Sequence, residues 1–157
     1  MKRLAALLLV ASCATGRDKG GLVAHPEVSA ADLTARSGRR LALLIGVNET
    51  KDELWPSLRY AASDALDLAR VLADPEGGRF ETEVTTSGST TTRAGLLAAL
   101  DRLAERNTSP NDTVVVYFSG HGTLAPTADG TFERALVASA TRHAALRARG
   151  LTSGELE

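Results

Sequence analysis

Histidine is the side chain whose ordinary titration lies nearest neutral pH, so it is the first candidate for moving protons. The sequence holds three, His25, His121 and His143. His121 has the setting that suits chemistry. It stands between Gly120 and Gly122, directly after Thr113-Val-Val-Val-Tyr-Phe-Ser119. A β-branched and aromatic run, preceded by a turn cluster from Asn107 to Asp112 and followed by glycines, predicts a buried strand over Thr113–Phe118. Both of its faces are apolar, which suits a parallel sheet covered on two sides. In open parallel sheets ligands collect beyond the carboxyl ends of the strands, where His121 stands. An imidazole placed there can act as general base and general acid. The N–H of Gly122 can approach a substrate closely, since no Cβ intervenes.

Such a residue needs a scaffold. Leu41–Val47 is a second continuous apolar run and predicts a second buried strand, with Asn48 at its carboxyl end. No Gly-x-Gly-x-x-Gly follows any strand, which disfavours a nucleotide-binding reading. Leu58, Ala61, Ala62, Ala65, Leu66, Ala69 and Leu72 form one face of an amphipathic helix. Pro56-Ser57 starts it, and Asp74-Pro75 with Gly77-Gly78 stops it. Asp64 and Asp67 lie off that stripe and read as solvated. Phe80–Thr86 alternates and predicts a short strand. Ser87–Thr92 reads as a loop ending in a helix cap rather than a phosphate site, for want of a Lys or a second Gly. Leu96, Leu97, Leu100, Leu103 and Ala104 are the stripe of a second helix. The order β-α-β-α-β predicts an α/β fold, a three-layer sandwich with a mainly parallel sheet. Thr123–Thr131 then reads as a polar loop and Phe132–Ala138 as a fourth strand. Arg142, His143, Arg147 and Arg149 read as a basic, solvated loop. Thr152-x-x-Glu155 is a capping box announcing a further helix.

Composition narrows the function classes. The chain has 157 residues, 43% of them apolar, and a formal charge of −1. That excludes disorder and collagen as overall classes and leaves no electrostatic case for nucleic-acid binding. The single cysteine, Cys13, excludes an internal disulfide and any thiolate metal site. His121 and His143 have no carboxylate or thiol spaced to complete a metal site, so neither metal nor cofactor is expected.

Cys13 belongs to a leader. Met1-Lys2-Arg3 is a basic start, and Leu4–Ala11 is apolar but too short to span a bilayer. The leader ends Val10-Ala11-Ser12-Cys13, which resembles the bacterial lipobox. That resemblance implies cleavage before Cys13, lipidation of its thiol and anchoring to the cell-envelope membrane. The alternative is an ordinary cleaved signal, giving a secreted or periplasmic protein. Residues 14–38 show no sustained period and read as a tether, in which His25 is a solvated residue.

The block Val114–Gly122, with its Tyr-Phe-Ser-Gly-His-Gly, resembles the His-Gly signature of the caspase-type cysteine peptidases. Leu41–Asn48, the Ser63-Asp64-Ala65 of the first helix, and Phe132–Glu157 resemble the same family in order. The resemblance spans residues 39–157. It implies the caspase-haemoglobinase fold, C-terminally incomplete, and cleavage of peptide or protein substrates by a Cys–His dyad. His121 then matches the general base and acid, and the Gly122 N–H matches an oxyanion donor. The nucleophile is expected about 50 residues beyond the His, past Glu157, and Ser119 lacks the strand–turn–helix of a substitute. Ala140 stands where family members commonly carry an Asp. The alternative to an endopeptidase is a membrane-anchored pseudopeptidase, a binding module without catalysis.

The leader supplies the first test. The expressed protein is expected in the membrane fraction, and Cys13→Ser is expected to release it. Identical fractionation of the two, with no lipid on the intact mass, would refute the lipobox reading.

Overall fold

The computed structural model describes residues 38–76 and 78–156. The leader with Cys13, and all of the tether except Gly38, lie outside the described residues.

The run Leu41–Val47 offers water no polar face and must be covered on both sides. It forms β1 (Arg40–Gly46), in which Leu41, Leu43, Leu44 and Ile45 are fully buried. β2 (Glu81–Thr85) pairs along one edge of β1 and β3 (Thr113–Ser119) along the other, both parallel to it. The order is therefore β2-β1-β3, with β1 central. Alternation sorts the side chains. Ala42 and Leu44 pack against α1 (Ala61–Ala73) on one face. Leu41, Leu43, Ile45 and Val47 pack against α2 (Arg93–Arg106) on the other. This is the expected α/β sandwich of three layers.

β3 is less covered than its composition suggests. Val114, Val116 and Phe118 pack toward α2 and Val115 and Tyr117 toward α1, yet all are only partly buried. With β1 on one side alone, β3 is an edge strand among the described residues.

The first helix begins at Ala61, three residues later than the apolar period predicts. Asn48 is the cause. Its carbonyl accepts the Leu58 N–H at 2.8 Å, and its Oδ1 accepts the Ala62 N–H at 2.9 Å. Leu58 thus closes a loop, and the side chain of Asn48 does the capping that no residue before the helix provides. Ala61, Ala65 and Ala69 form the buried line, flanked by Leu68 and Leu72, whereas Leu66 is turned to solvent. Small residues let the helix lie close to the sheet. A Cβ on Gly46 would stand 2.3 Å from the Ala61 carbonyl oxygen. In α2 the hydroxyl of Thr92 accepts the Gly95 N–H at 3.3 Å, the cap the sequence predicts. Leu96, Ala99 and Leu103 are its buried line, while Ala104 is exposed.

A second, antiparallel sheet follows, of order β4-β5-β6. β4 (Gly122–Pro126) replaces the first part of the predicted polar loop. Its residues have little strand propensity of their own; pairing with β5 (Phe132–Leu136) makes them a strand. The predicted fourth strand is thus present as β5, but it lies in this sheet and not beside β3. The turn between the two is held by Asp129, whose carboxylate accepts from the hydroxyls of Thr127 and Thr131 and from the Thr131 N–H. Those donors pull the Asp129 carboxyl down to about 2. The basic segment is not a loop. It makes a 3₁₀ turn (His143–Ala145) and a short helix α3 (Leu146–Arg149), because Leu146 buries itself with Ala125, Ala135 and Trp55. β6 (Leu151–Thr152) completes the sheet. The capping box is formed: the Glu155 carboxylate accepts the Thr152 N–H at 3.0 Å, opening a 3₁₀ turn over Ser153–Glu155. Arg93 at the start of α2 pairs with Glu155 and ties that turn to the main body.

At the amino ends of the parallel strands, Glu81 accepts from Arg39 and Arg106, each at 2.7 Å. The hydrogen bonds from Arg39, then Arg106, lower its carboxyl from the ordinary 4.5 to about 2. A carboxylate whose folded value is depressed adds stability above its unfolded value and loses it as pH falls through the folded one. Glu81→Gln should therefore melt below the parent at neutral pH, with the gap closing as pH falls from about 4.5 to about 2. A gap constant across that window would show that the cluster does not titrate this way.

Candidate active site

The strand order 2-1-3 has a consequence. The chain leaves β1 toward one side and returns to pair on the other, so a crevice opens at the carboxyl ends of β1 and β3. This is the switch point at which open sheets bind ligands. The two strand ends are locked there, since the Val47 N–H donates to the Ser119 carbonyl at 2.8 Å. His121 follows within two residues, half-buried, at the junction of β3 and β4.

The glycines on its two sides serve different ends. A Cβ on Gly120 would lie 2.8 Å from the Phe118 ring and 3.4 Å from the Val47 Cβ. A larger residue than Gly120 would therefore force the Phe118 ring to shift. A Cβ on Gly122 would meet nothing nearer than the Ala135 carbonyl oxygen at 3.9 Å. The fold does not require glycine there. Gly122 is the first residue of β4, and the register gives its N–H a direction. The Val137 N–H donates to the His121 carbonyl at 2.9 Å, and Gly122 is paired with Leu136. Gly122 and Leu136 are thus a non-hydrogen-bonded pair, and the Gly122 N–H points off the outer edge of β4.

The imidazole of His121 is oriented by a backbone group. Its Nε2 lies 2.7 Å from the Pro56 carbonyl oxygen. A carbonyl can only accept, so Nε2 carries the proton and, in the neutral ring, Nδ1 keeps its lone pair. An imidazole held this way can take up a proton at Nδ1 and give it back without turning.

Pro56 sits in the loop between β1 and α1, which Asn48 closes at its base. Within the loop the Thr50 hydroxyl donates to the Trp55 carbonyl at 3.0 Å. The Asp52 carboxylate accepts the Leu54 N–H at 3.1 Å and, across the molecule, the His143 N–H at 2.6 Å. Those two donors, His143 first, hold the Asp52 carboxyl below its usual range. The Trp55 ring packs on Ala125, Ala135 and Leu146 and lies 6.2 Å from the His143 ring. The Asp64 carboxylate in the first turn of α1 stands 3.5 Å from the Ser119 hydroxyl at the end of β3.

The structure thus brings His121 and Gly122 together at the crevice, with Ser119 beside them. His143 lies apart, its backbone on Asp52. Among the described residues no group of three or more His, Cys, Asp or Glu converges as a metal site. Sequence reasoning misses Pro56, Asn48, Asp52 and Trp55, and reads Asp64 as mere solvation. A backbone carbonyl leaves no residue-type signal. The sequence signals available were an Asn directly after a buried strand and the chain's one tryptophan placed before a proline.

Known proteins resemble this chain in fold and in sequence. The solved structure of protein GSU0716 from Geobacter sulfurreducens superposes with a TM-score of 0.59 at 20% identity, covering 75% of this chain and 43% of that one. The likeness shows the fold. Metacaspase-1B of Aspergillus fumigatus is 34% identical over 106 residues, which is 64% of this chain and 25% of that protein. Metacaspase-1B of Aspergillus niger is 33% identical over 103 residues, 62% of this chain and 23% of that protein. The chain spans about a quarter of the length of these curated relatives. Residues 39–151 match the caspase domain of peptidase family C14, and the chain belongs to that family.

Proposed function

We propose that this domain is the histidine-bearing part of a cysteine endopeptidase. The observation that carries the reading is the His121 imidazole at the switch-point crevice, its Nε2–H held on the Pro56 carbonyl and its Nδ1 left without a hydrogen bond among the described residues. In this reading Nδ1 withdraws the proton of a cysteine thiol. The thiolate attacks the scissile carbonyl, and the Gly122 N–H donates to the oxyanion that forms. The imidazolium then protonates the leaving amine. Asp64 brings a negative charge to the end of β3, which favours a basic residue over an acidic one on the cleaved side of the substrate.

The thiol is the partner this reading requires, and Cys13, in the leader, is the chain's one cysteine. We infer that the nucleophile is carried outside residues 39–156. The same observation favours the second reading, a binding module without catalysis. Anchoring at Cys13 is part of the proposal in either case. Gly38, the last residue of the tether, precedes the amino end of β1, the opposite end of the sheet from His121.

Reading the gene beyond codon 157 separates the two. An in-frame cysteine about 50 residues past His121 supports the enzyme, and its absence supports the module. In the longer protein, His121→Ala should lower kcat on Arg or Lys peptides by about 10²-fold or more with little change in melting temperature. Equal activity of variant and parent would remove the dyad, and joint loss of folding would make His121 a structural residue.

The two glycines give a separate test. Gly120→Ala should destabilise by about 1–3 kcal/mol through overpacking. Gly122→Ala should leave the melting temperature unchanged or slightly raised, since Ala costs less than Gly in a strand, while lowering kcat. The reverse order of stabilities would contradict the packing described here.

A further inference from the structure

We propose that Trp55 and Asp52 are positioning residues for His121, acting on it through the Pro56 carbonyl. The proposal deepens the dyad reading, which requires of His121 a base with a fixed tautomer.

Surface loops of this length are ordinarily mobile, and a mobile loop could not hold an imidazole in one orientation. The loop from Asn48 to Tyr60 is instead fastened on both sides of Pro56. After Pro56, the Leu58 N–H is bound to the Asn48 carbonyl at 2.8 Å. Before it, the Trp55 carbonyl accepts from Thr50 at 3.0 Å, which fixes the peptide plane leading into the proline. The proline ring fixes its own φ. The aim of the Pro56 carbonyl therefore depends on where Trp55 sits.

The backbone of Trp55 is held in its own loop, its N–H donating to the Asp52 carbonyl at 3.1 Å, but its ring is held by the second sheet. Its ring occupies the apolar patch of Ala125, Ala135 and Leu146. Its neighbour Asp52 is tied to the His143 N–H, 91 residues along the chain. The fastening thus runs from β4, β5 and the 3₁₀ turn at His143 through Trp55 to Pro56 and then to Nε2. β4 starts directly after His121, so the same sheet holds the imidazole's backbone and the carbonyl that orients its ring. Without the fastening the ring keeps its place but loses its acceptor, and the proton redistributes between Nδ1 and Nε2.

NMR of the imidazole nitrogens reads this without any substrate. In the 157-residue chain labelled with ¹⁵N-histidine, His121 is expected as a single Nε2–H tautomer with a slowly exchanging ring proton. Asp52→Ala and Trp55→Ala should lose that proton signal to solvent exchange and move the two ring-nitrogen shifts toward each other. Trp55→Phe, which refills the patch, should restore the parent spectrum. Circular dichroism checks folding, and Asp52→Ala decides the matter if Trp55→Ala does not fold. A folded Asp52→Ala that keeps the parent His121 signature would overturn the proposal. So would an Nδ1–H tautomer in the parent. An intact signature in a longer protein that cleaves no peptide would sink the peptidase reading and leave the fastening standing.

Discussion

Strand β1 must be covered on both faces and along both edges, and the rest of the domain follows from that. Each Leu or Ile side chain fully removed from water contributes about 1.5–3 kcal/mol, and Leu41, Leu43, Leu44 and Ile45 are all fully buried. One helix covers one face of a sheet, so two are needed, and parallel neighbours need crossovers long enough to contain them. Placing β2 and β3 on opposite edges of β1 meets both needs and puts a helix on each face. That arrangement necessarily leaves a crevice at the carboxyl ends of β1 and β3. The site occupies a place that burial of one strand creates.

The crevice would be shapeless without close approach. Gly46 lets the first turn of α1 sit over the end of β1, and Gly120 lets the chain turn beneath the Phe118 ring. Asn48 links the two halves of this geometry. It ends the β1 segment, closes the loop with its carbonyl and caps α1 with its side chain, so the position of Pro56 and the start of the helix are set by one residue. The second sheet adds the remaining support, because Trp55 reaches across to it.

What could be read from the sequence follows the range of each interaction. β1, β3 and both main helices are legible because burial imposes local periods of two and 3.6. His121 and Gly122 are legible because strand, glycines and imidazole are consecutive. The caps at Thr92 and Thr152 are legible because their partners lie three residues on. β4 is not, since its pairing with β5 outweighs a weak local preference. The late start of α1 is not, because its cap comes from Asn48, 14 residues before Ala62. The Pro56 carbonyl lies 65 residues from His121 and could have come from any residue type. Long-range polar contacts to main-chain atoms carry no signature in a single sequence.

The choice of a carbonyl to orient His121 has a physical logic of its own. A carboxylate at that place would also hold the ring, but it would add a charge and so bias the imidazole toward its protonated form. A backbone carbonyl is neutral. It can accept the Nε2–H in both the imidazole and the imidazolium, so the ring has no reason to turn when Nδ1 gains or loses its proton. On the proposed reading, Nδ1 must take a proton from one partner and pass it to another within a single turnover. A ring that stays in place through both steps avoids reorganisation at the moment of transfer, which is where preorganised sites gain over water. The requirement then moves outward, from the imidazole to whatever keeps the carbonyl aimed. In this chain that is a tryptophan packed on the neighbouring sheet and an aspartate tied to the turn at His143.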